Sequence, residues 1–449
     1  MKRRPAALVA VLVAAATVVG GLASADPLPS NVRVAAVGQV SGSASATSGA
    51  QRVVGLADAV SISVYGGMTP EAIDGIVAAA RAAGVPSVRG RSLNIGLRAV
   101  RRGNQFVQVA DGPGGGSWQF PMSVTVLAPE AIGPVFGLRI AAAVAGGGAV
   151  LDANSAALRG AQVGDVLDLV ALDGGLRTVT LAAIATSGEI GSAELVIGPD
   201  IADWLGASIV TRILLFGQMD RGLVDAELTA RGFVDGNRVR IVRSWAPANP
   251  DGLLSSSQVK QRLGEFAYRV NANGGLTLDQ AWRDANLLYR SYGSINVRTT
   301  CHQAITGDLQ AALDEVAAAG LGGLIDLGNT NTYGGCYNPR FATQSGSFGS
   351  VSRHAWAMAI DMNTTTNPQG GTPRMDCRIV RIFRKHNFAW GGNFLVPDGM
   401  HFEWVGQPRH TWAFPSRYCP NLPDGATQAL GEQPDGRTLL FAEDLLPGD

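Results

Sequence analysis

The sequence predicts an α+β protein: an N-terminal α/β region, then a helical connector, then a C-terminal α+β domain. Three observations predict this. Period-two apolar strands occur with a capped amphipathic helix in the first half. A stretch of helix-compatible composition, broken by Asn/Gly/Pro turns, follows. All four cysteines then fall in the last third of the chain. At 449 residues the chain is long for one domain, because domains run to about 100–200 residues. Hydrophobic residues make up 46% and charged residues 16%, which supports sizeable cores and excludes a mostly disordered chain. The formal net charge is zero, so no global field points to nucleic acid or an anionic membrane surface as partner.

Lys2-Arg3-Arg4 form a positive start, Pro5 to Leu22 is apolar, and Ala23-Ser24-Ala25 fits the small-residue cleavage pattern. Residues 1–25 therefore read as a signal peptide, with Asp26 as the first mature residue. An uncleaved anchor is the alternative reading, since the apolar run is long enough. No other stretch could span a bilayer, so no membrane span is expected once the signal is removed. The Ser-, Gly- and Ala-rich residues 26–50 read as a flexible lead-in.

Residues 51–244 form the expected accessory α/β domain. Val60 to Val64 alternates as a strand. Thr69 then caps a helix with Pro70 at its first position; Ile73, Ile76, Val77 and Ala80 share a face, and Gly84 ends it. Ser123 to Leu127, Glu194 to Ile197 and Val239 to Val242 are further strands. Asp165 to Leu172 and Arg177 to Ala183 flank Asp173-Gly174-Gly175 and predict a hairpin. The runs Gly114–Gly116 and Gly146–Gly148 lack phosphate-loop spacing and read as turns. Residues 245–294 read as the helical connector, with helices over Ser255 to Val270 and Thr277 to Tyr289. The C-terminal domain covers 295–419. Within it, Asp308 to Ala319 and Asp376 to His386 are amphipathic helices. Residues 420–449 read as a mobile tail.

Four cysteines in an exported chain suggest two disulfides. Three pairings are open. Cys301–Cys336 with Cys377–Cys419 is the expected one, because it closes the ends of successive segments. A four-cysteine zinc site has no C-x-x-C spacing to support it.

Two stretches carry the chemistry. The first is Ser352-Arg353-His354-Ala355-Trp356-Ala357-Met358-Ala359-Ile360-Asp361, and the second is Pro397-Asp398-Gly399-Met400-His401-Phe402-Glu403-Trp404. They offer two histidines and a carboxylate as ligands, an inventory that fits one Zn²⁺ with an open position for water. His354 and Asp361 are seven apart, and an odd spacing in one strand points side chains to opposite faces. His354 is therefore expected in a loop entering a strand, with Asp361 on the strand. Ala357, Ala359 and Asp361 would share one face, and Met358, Ile360 and Met362 the other. His401 is expected on a second strand after the Pro397-Asp398-Gly399 turn. Asp398 is placed to act as general base, and Glu403 to hold His401 in its tautomer. His302, His386 and His410 lack such company and read as structural.

The two stretches resemble the VanY-like D-alanyl-D-alanine carboxypeptidases of the hedgehog/DD-peptidase fold, over about residues 301–405. The resemblance implies His354, Asp361 and His401 as zinc ligands and Asp398 as the catalytic carboxylate. It also implies Arg340, in Tyr337-Asn338-Pro339-Arg340, as a cation near the metal, and a supporting hydrogen bond from Ser352. The family usually has Gly where this chain has Ala357, a change that matters only if the backbone there needs positive φ. The implied activity is a secreted, cell-wall-associated zinc peptidase acting on peptidoglycan stem peptides. The alternative is a non-catalytic zinc-containing wall- or partner-binding protein. More loosely, Ala131 to Gly206 resembles the extracytoplasmic domain of FtsX/MacB-like transporter permeases, which implies a binding module and leaves a protein partner for the N-terminal region as an expectation.

Overall fold

The computed structural model describes residues 58–64, 67–112, 117–236, 238–295, 297–326, 333–342, 350–412 and 416–421. The expected signal peptide, the lead-in, the Gly114–Gly116 run and all but the first two residues of the expected tail lie outside the described residues.

The first half runs β1 (Asp58–Val64), α1 (Pro70–Ala82), β2 (Ser87–Arg102), β3 (Gln105–Val109) and β4 (Phe120–Val126). Next come α2 (Pro129–Phe136), α3 (Leu138–Ala145), β5 (Ala149–Asp152), α4 (Ala153–Arg159), β6 (Val166–Val170) and β7 (Leu176–Ala185). β8 (Leu195–Ile197), α5 (Pro199–Trp204), β9 (Arg212–Gly217), α6 (Arg221–Ala230) and β10 (Val239–Arg243) complete it. The helix expected after Thr69 forms for the expected reason: Thr69 Oγ1 accepts the Ala72 N–H at 3.2 Å. The Asp173-Gly174-Gly175 hairpin also forms, joining β6 and β7 antiparallel. Gly146–Gly148 is the turn between α3 and β5.

Strand β2 organises this half. It is 16 residues long, enough to serve two structures. Its first residues pair with β9, in a four-stranded antiparallel sheet ordered β10-β1-β9-β2. β1–α1–β2 and β9–α6–β10 thus interlock as a split βαβ pair. Ile73 and Ile76 of α1 pack with Val224 and Leu228 of α6 on one face. Ile132, Val135 and Ile140 of α2 and α3 cover the other. The rest of β2 pairs with β4 on one side and β6 on the other. β2-β4-β8-β5-β7-β6 therefore closes on itself as a barrel, which removes free edges. Leu97, Trp118, Phe120, Leu169 and Leu181 fill its core.

The second half begins with α7 (Ser256–Leu263), β11 (Tyr268–Val270), β12 (Leu276–Leu278), α8 (Gln280–Asn286), β13 (Leu287–Tyr292) and β14 (Val297–His302). The helical expectation for this segment is corrected. Ser255 caps α7 through a capping box with Gln258, but the helix stops at Gly264, where φ is +80°. A hairpin turning at Asn273-Gly274-Gly275 follows instead, and α8 is short. Composition permits helix there; burial of Tyr268, Leu276 and Leu278 in the core decides for strands.

α9 (Thr306–Ala318), β15 (Tyr333–Gly335), β16 (Ala359–Met362), α10 (Cys377–Lys385), β17 (Phe388–Trp390) and β18 (His401–Trp404) follow. The last four strands form an antiparallel sheet ordered β15-β16-β18-β17. Leu309, Leu313 and Val316 of α9 and Ile379, Val380 and Phe383 of α10 lie in one core with Phe402, and with Val259, Leu263 and Phe266 from the segment before. Both expected disulfides, Cys301–Cys336 and Cys377–Cys419, are present.

His302 is a core histidine, as its sequence context suggests. Its Nε2–H donates to the Leu263 carbonyl at 3.1 Å, and its Nδ1 accepts the Ala304 N–H at 3.1 Å. A second ring proton would face an N–H donor. Burial lowers its pKa against the raising effect of the Leu263 bond. The unfolded chain takes up this proton near pH 6.5, and the folded protein resists it. Stability from this group is therefore complete above about pH 6.5 and falls below it, by at most about 1.4 kcal/mol per pH unit. Urea unfolding at pH 7.5 and pH 5 should show a larger loss for wild type than for His302→Gln.

Candidate metal centre

The sheet brings the three expected ligands together. β16 and β18 pair with Asp361 opposite His401 and Ala359 opposite Glu403. These four side chains share one face by the strand period. His354 arrives from a 3-10 turn, Arg353–Trp356, just before β16. Ser352 caps that turn: its Oγ accepts the His354 N–H at 3.1 Å.

Asp361 Oδ1 lies 3.2 Å from His354 Nε2 and 3.1 Å from His401 Nδ1. One ligand atom from each of the three lies within 4.8 Å of the others. Burial pushes the Asp361 carboxyl pKa up, but the two imidazoles outweigh it and hold the group well below the usual carboxylate range. The donor set fits a cation. His354 Nδ1 is 3.0 Å from the Cys336 carbonyl, so Nδ1 carries the proton and Nε2 presents its lone pair. That Nε2 is buried and faces Asp361 Oδ1.

Asp398 and His401 stand at the two ends of one turn, closed by the His401 N–H on the Asp398 carbonyl at 3.2 Å. Asp398 is 3% exposed, and its Oδ2 accepts from Gln369 Nε2 at 3.4 Å. Glu403 lies with Oε2 3.5 Å from His401 Nε2, the side on which it was expected. Arg340 is tied to the motif through its backbone, whose carbonyl accepts the Ser352 N–H at 3.0 Å. Its guanidinium donates to the carbonyls of Phe341 and Ala342.

Ala357 is corrected. It does not lie on the strand with Ala359 and Asp361, because β16 starts at Ala359. It ends the 3-10 turn with φ 53° and ψ 34°, the left-handed region. The usual glycine thus has a backbone reason here. An L residue in this region costs about 1–2 kcal/mol. Against that, the fully buried Ala357 methyl contributes about 0.8 kcal/mol, and a glycine loses more chain entropy on folding. The two sides nearly cancel. Ala357→Gly should change the unfolding free energy measured in urea by less than about 1 kcal/mol, whereas Ala357→Val, branched at a left-handed position, should cost more than about 2 kcal/mol.

Three contributors were not anticipated. The Cys336 carbonyl orients His354, and no side-chain pattern signals a backbone acceptor. Arg353 is buried, with Nε 3.3 Å from Glu403 Oε1 and Nη2 2.8 Å from the Leu254 carbonyl. Nothing in its sequence context marks it out. Gly391 lets the turn approach: a Cβ there would meet the Asp398 carbonyl oxygen at 2.6 Å and His401 Cβ at 3.1 Å. The pair Gly391-Gly392 was the available signal.

Two acid-facing imidazoles, an ionised aspartate and a second buried aspartate one turn away define a centre suited to metal-assisted hydrolysis. Residues 345–404 match the family model described as D-alanyl-D-alanine carboxypeptidase. The match spans His354, Asp361, Asp398 and His401, ends at Trp404, and leaves out Arg340. The VanY-like resemblance of the two motifs is therefore supported over this stretch. No curated protein matches the chain.

Proposed function

We propose that the chain is an exported zinc peptidase that hydrolyses peptidoglycan stem peptides, with D-alanyl-D-alanine carboxypeptidase activity as the best-fitting reaction. The observation that carries this reading is the meeting of His354, Asp361 and His401 with Asp398 one turn away. His354, Asp361 and His401 would hold one zinc ion. Zinc in such a site supplies a Lewis acid and brings a bound water's pKa toward about 7.

The chain's own residues do the rest. Asp398 accepts a proton from the attacking water and returns it to the leaving amine as the peptide C–N bond breaks. Arg340 binds a substrate carboxylate or steadies the developing oxyanion. Ser352 and the Cys336 carbonyl hold His354 in position, and Glu403 braces His401. Two disulfides are compatible with an oxidising compartment. Among the described residues no helix is long and apolar enough to cross a membrane.

The test is to incubate the purified chain on defined muropeptides, with zinc and with chelator, and weigh the products. Loss of one terminal D-alanine, abolished by chelator, is expected. Cleavage inside the stem would make it an endopeptidase. The absence of any chelator-sensitive product would overturn the peptidase reading and favour the binding-protein alternative.

A further inference from the structure

A solvent-open cleft lies beside the turn that carries Asp398 and is lined by cations that the chemistry above does not use. One wall comes from the N-terminal sheet, with Arg240 on β10 and Asp235 in the turn before it. The other comes from the loop that leads into the catalytic turn, with Asn393, Phe394 and Pro397; Arg417 also lines it. Pro397 directly precedes Asp398. The Phe394 ring lies 6.0 Å from the His401 ring. The cleft therefore begins one side chain away from the ligands, although no ligand lines it.

Its charges are unbalanced. Arg240 is 8% exposed, donates through Nη2 to the Asn393 carbonyl, and has an Nε with no hydrogen-bond partner among the described residues. Arg417 is exposed and stacks on Tyr418, 5.0 Å from the ring centre. Asp235, the acid of the cleft, is engaged through Oδ1 by the Ile241 N–H at 2.9 Å. Two guanidiniums lining one open cleft suit a carboxylate, which an arginine can bind in bidentate fashion.

We propose that this cleft is a subsite for a second carboxylate of the peptide substrate, bound by Arg240 and Arg417. The accessory sheet then helps set specificity through β10. The proposal rests on a peptide substrate, as argued above, but binding tests it separately from cleavage.

The experiment uses fluorescence anisotropy on the full chain. The probes are two labelled peptides ending in D-alanyl-D-alanine, identical except that one carries a free side-chain carboxylate upstream and the other its carboxamide. Wild type should bind the acidic peptide about 5–20-fold more tightly. Arg417→Gln, an exposed position with little risk to folding, should reduce that ratio to about twofold or less. Arg240→Gln should do the same, with a melting curve to verify the fold. Equal binding of both peptides by wild type, or a ratio that survives Arg417→Gln, would overturn the subsite. Discrimination in binding without cleavage of either peptide would uphold the subsite and count against the peptidase.

Discussion

Asp398→Asn is expected to lower kcat on a D-alanyl-D-alanine peptide by about 10²–10⁴-fold while the zinc content of the purified chain stays unchanged. The variant is nearly isosteric and removes only the capacity to take a proton. The turn that delivers His401 is closed by the Asp398 backbone, through the Asp398 N–H on the Gly391 carbonyl at 2.8 Å and the His401 N–H on the Asp398 carbonyl. Neither bond involves the carboxylate. The ligand should therefore stay in place, and metal analysis should separate a lost base from a lost site. Turnover within about threefold of wild type would remove Asp398 from the mechanism. Loss of zinc along with activity would make it a structural residue of the turn.

Lys260→Met is expected to cost about 3–5 kcal/mol of stability, the range for removing one partner of a buried ion pair. Lys260 lies on α7 with no exposed side-chain surface. Its ammonium is 2.6 Å from Glu194 Oε1 and 3.0 Å from Glu265 Oε1, and it donates to the Pro121 carbonyl. Arg159 completes the cluster, 3.7 Å from Glu194 and bonded to Glu265. Burial pushes the Glu194 pKa up, but Lys260 and Arg159 outweigh it, so the carboxylate stays ionised. Methionine fills the volume and leaves two buried carboxylates to one guanidinium. Urea unfolding should show the loss, and adding Glu194→Gln should recover part of it, because the residues are coupled. A loss below about 1 kcal/mol would mean that water replaces the ammonium. The cluster joins α7 to α4 and to the residue that enters β8, so the same variant tests whether the barrel and the second half unfold together.

Much of the site was legible because its signals are local. Ser352 before His354, Asp398 three residues before His401, and Asp361 and His401 on period-two strands all act within a few residues. So do the caps of α1, α7 and α10, where Thr69, Ser255 and Asp376 each bond an N–H of their own first turn. The disulfide pairing followed from chain order. The connector departs from the helical expectation because helix-compatible composition is a weak preference, which burial of Tyr268 and Leu278 against the shared core overrides.

By itself, then, the sequence determined which residues are candidates to hold a metal and move a proton, since ligand type and turn spacing are properties of short segments. The tertiary structure alone decided which partners they meet. The Cys336 carbonyl reaches His354 because Tyr333–Gly335 pairs with β16. Arg353 bridges Glu403 and Leu254 because α7 enters the same core. Ala357 is left-handed because the turn must end there for β16 to pair in register. Each of these depends on surfaces buried between distant segments, and that burial is settled only when the whole chain packs.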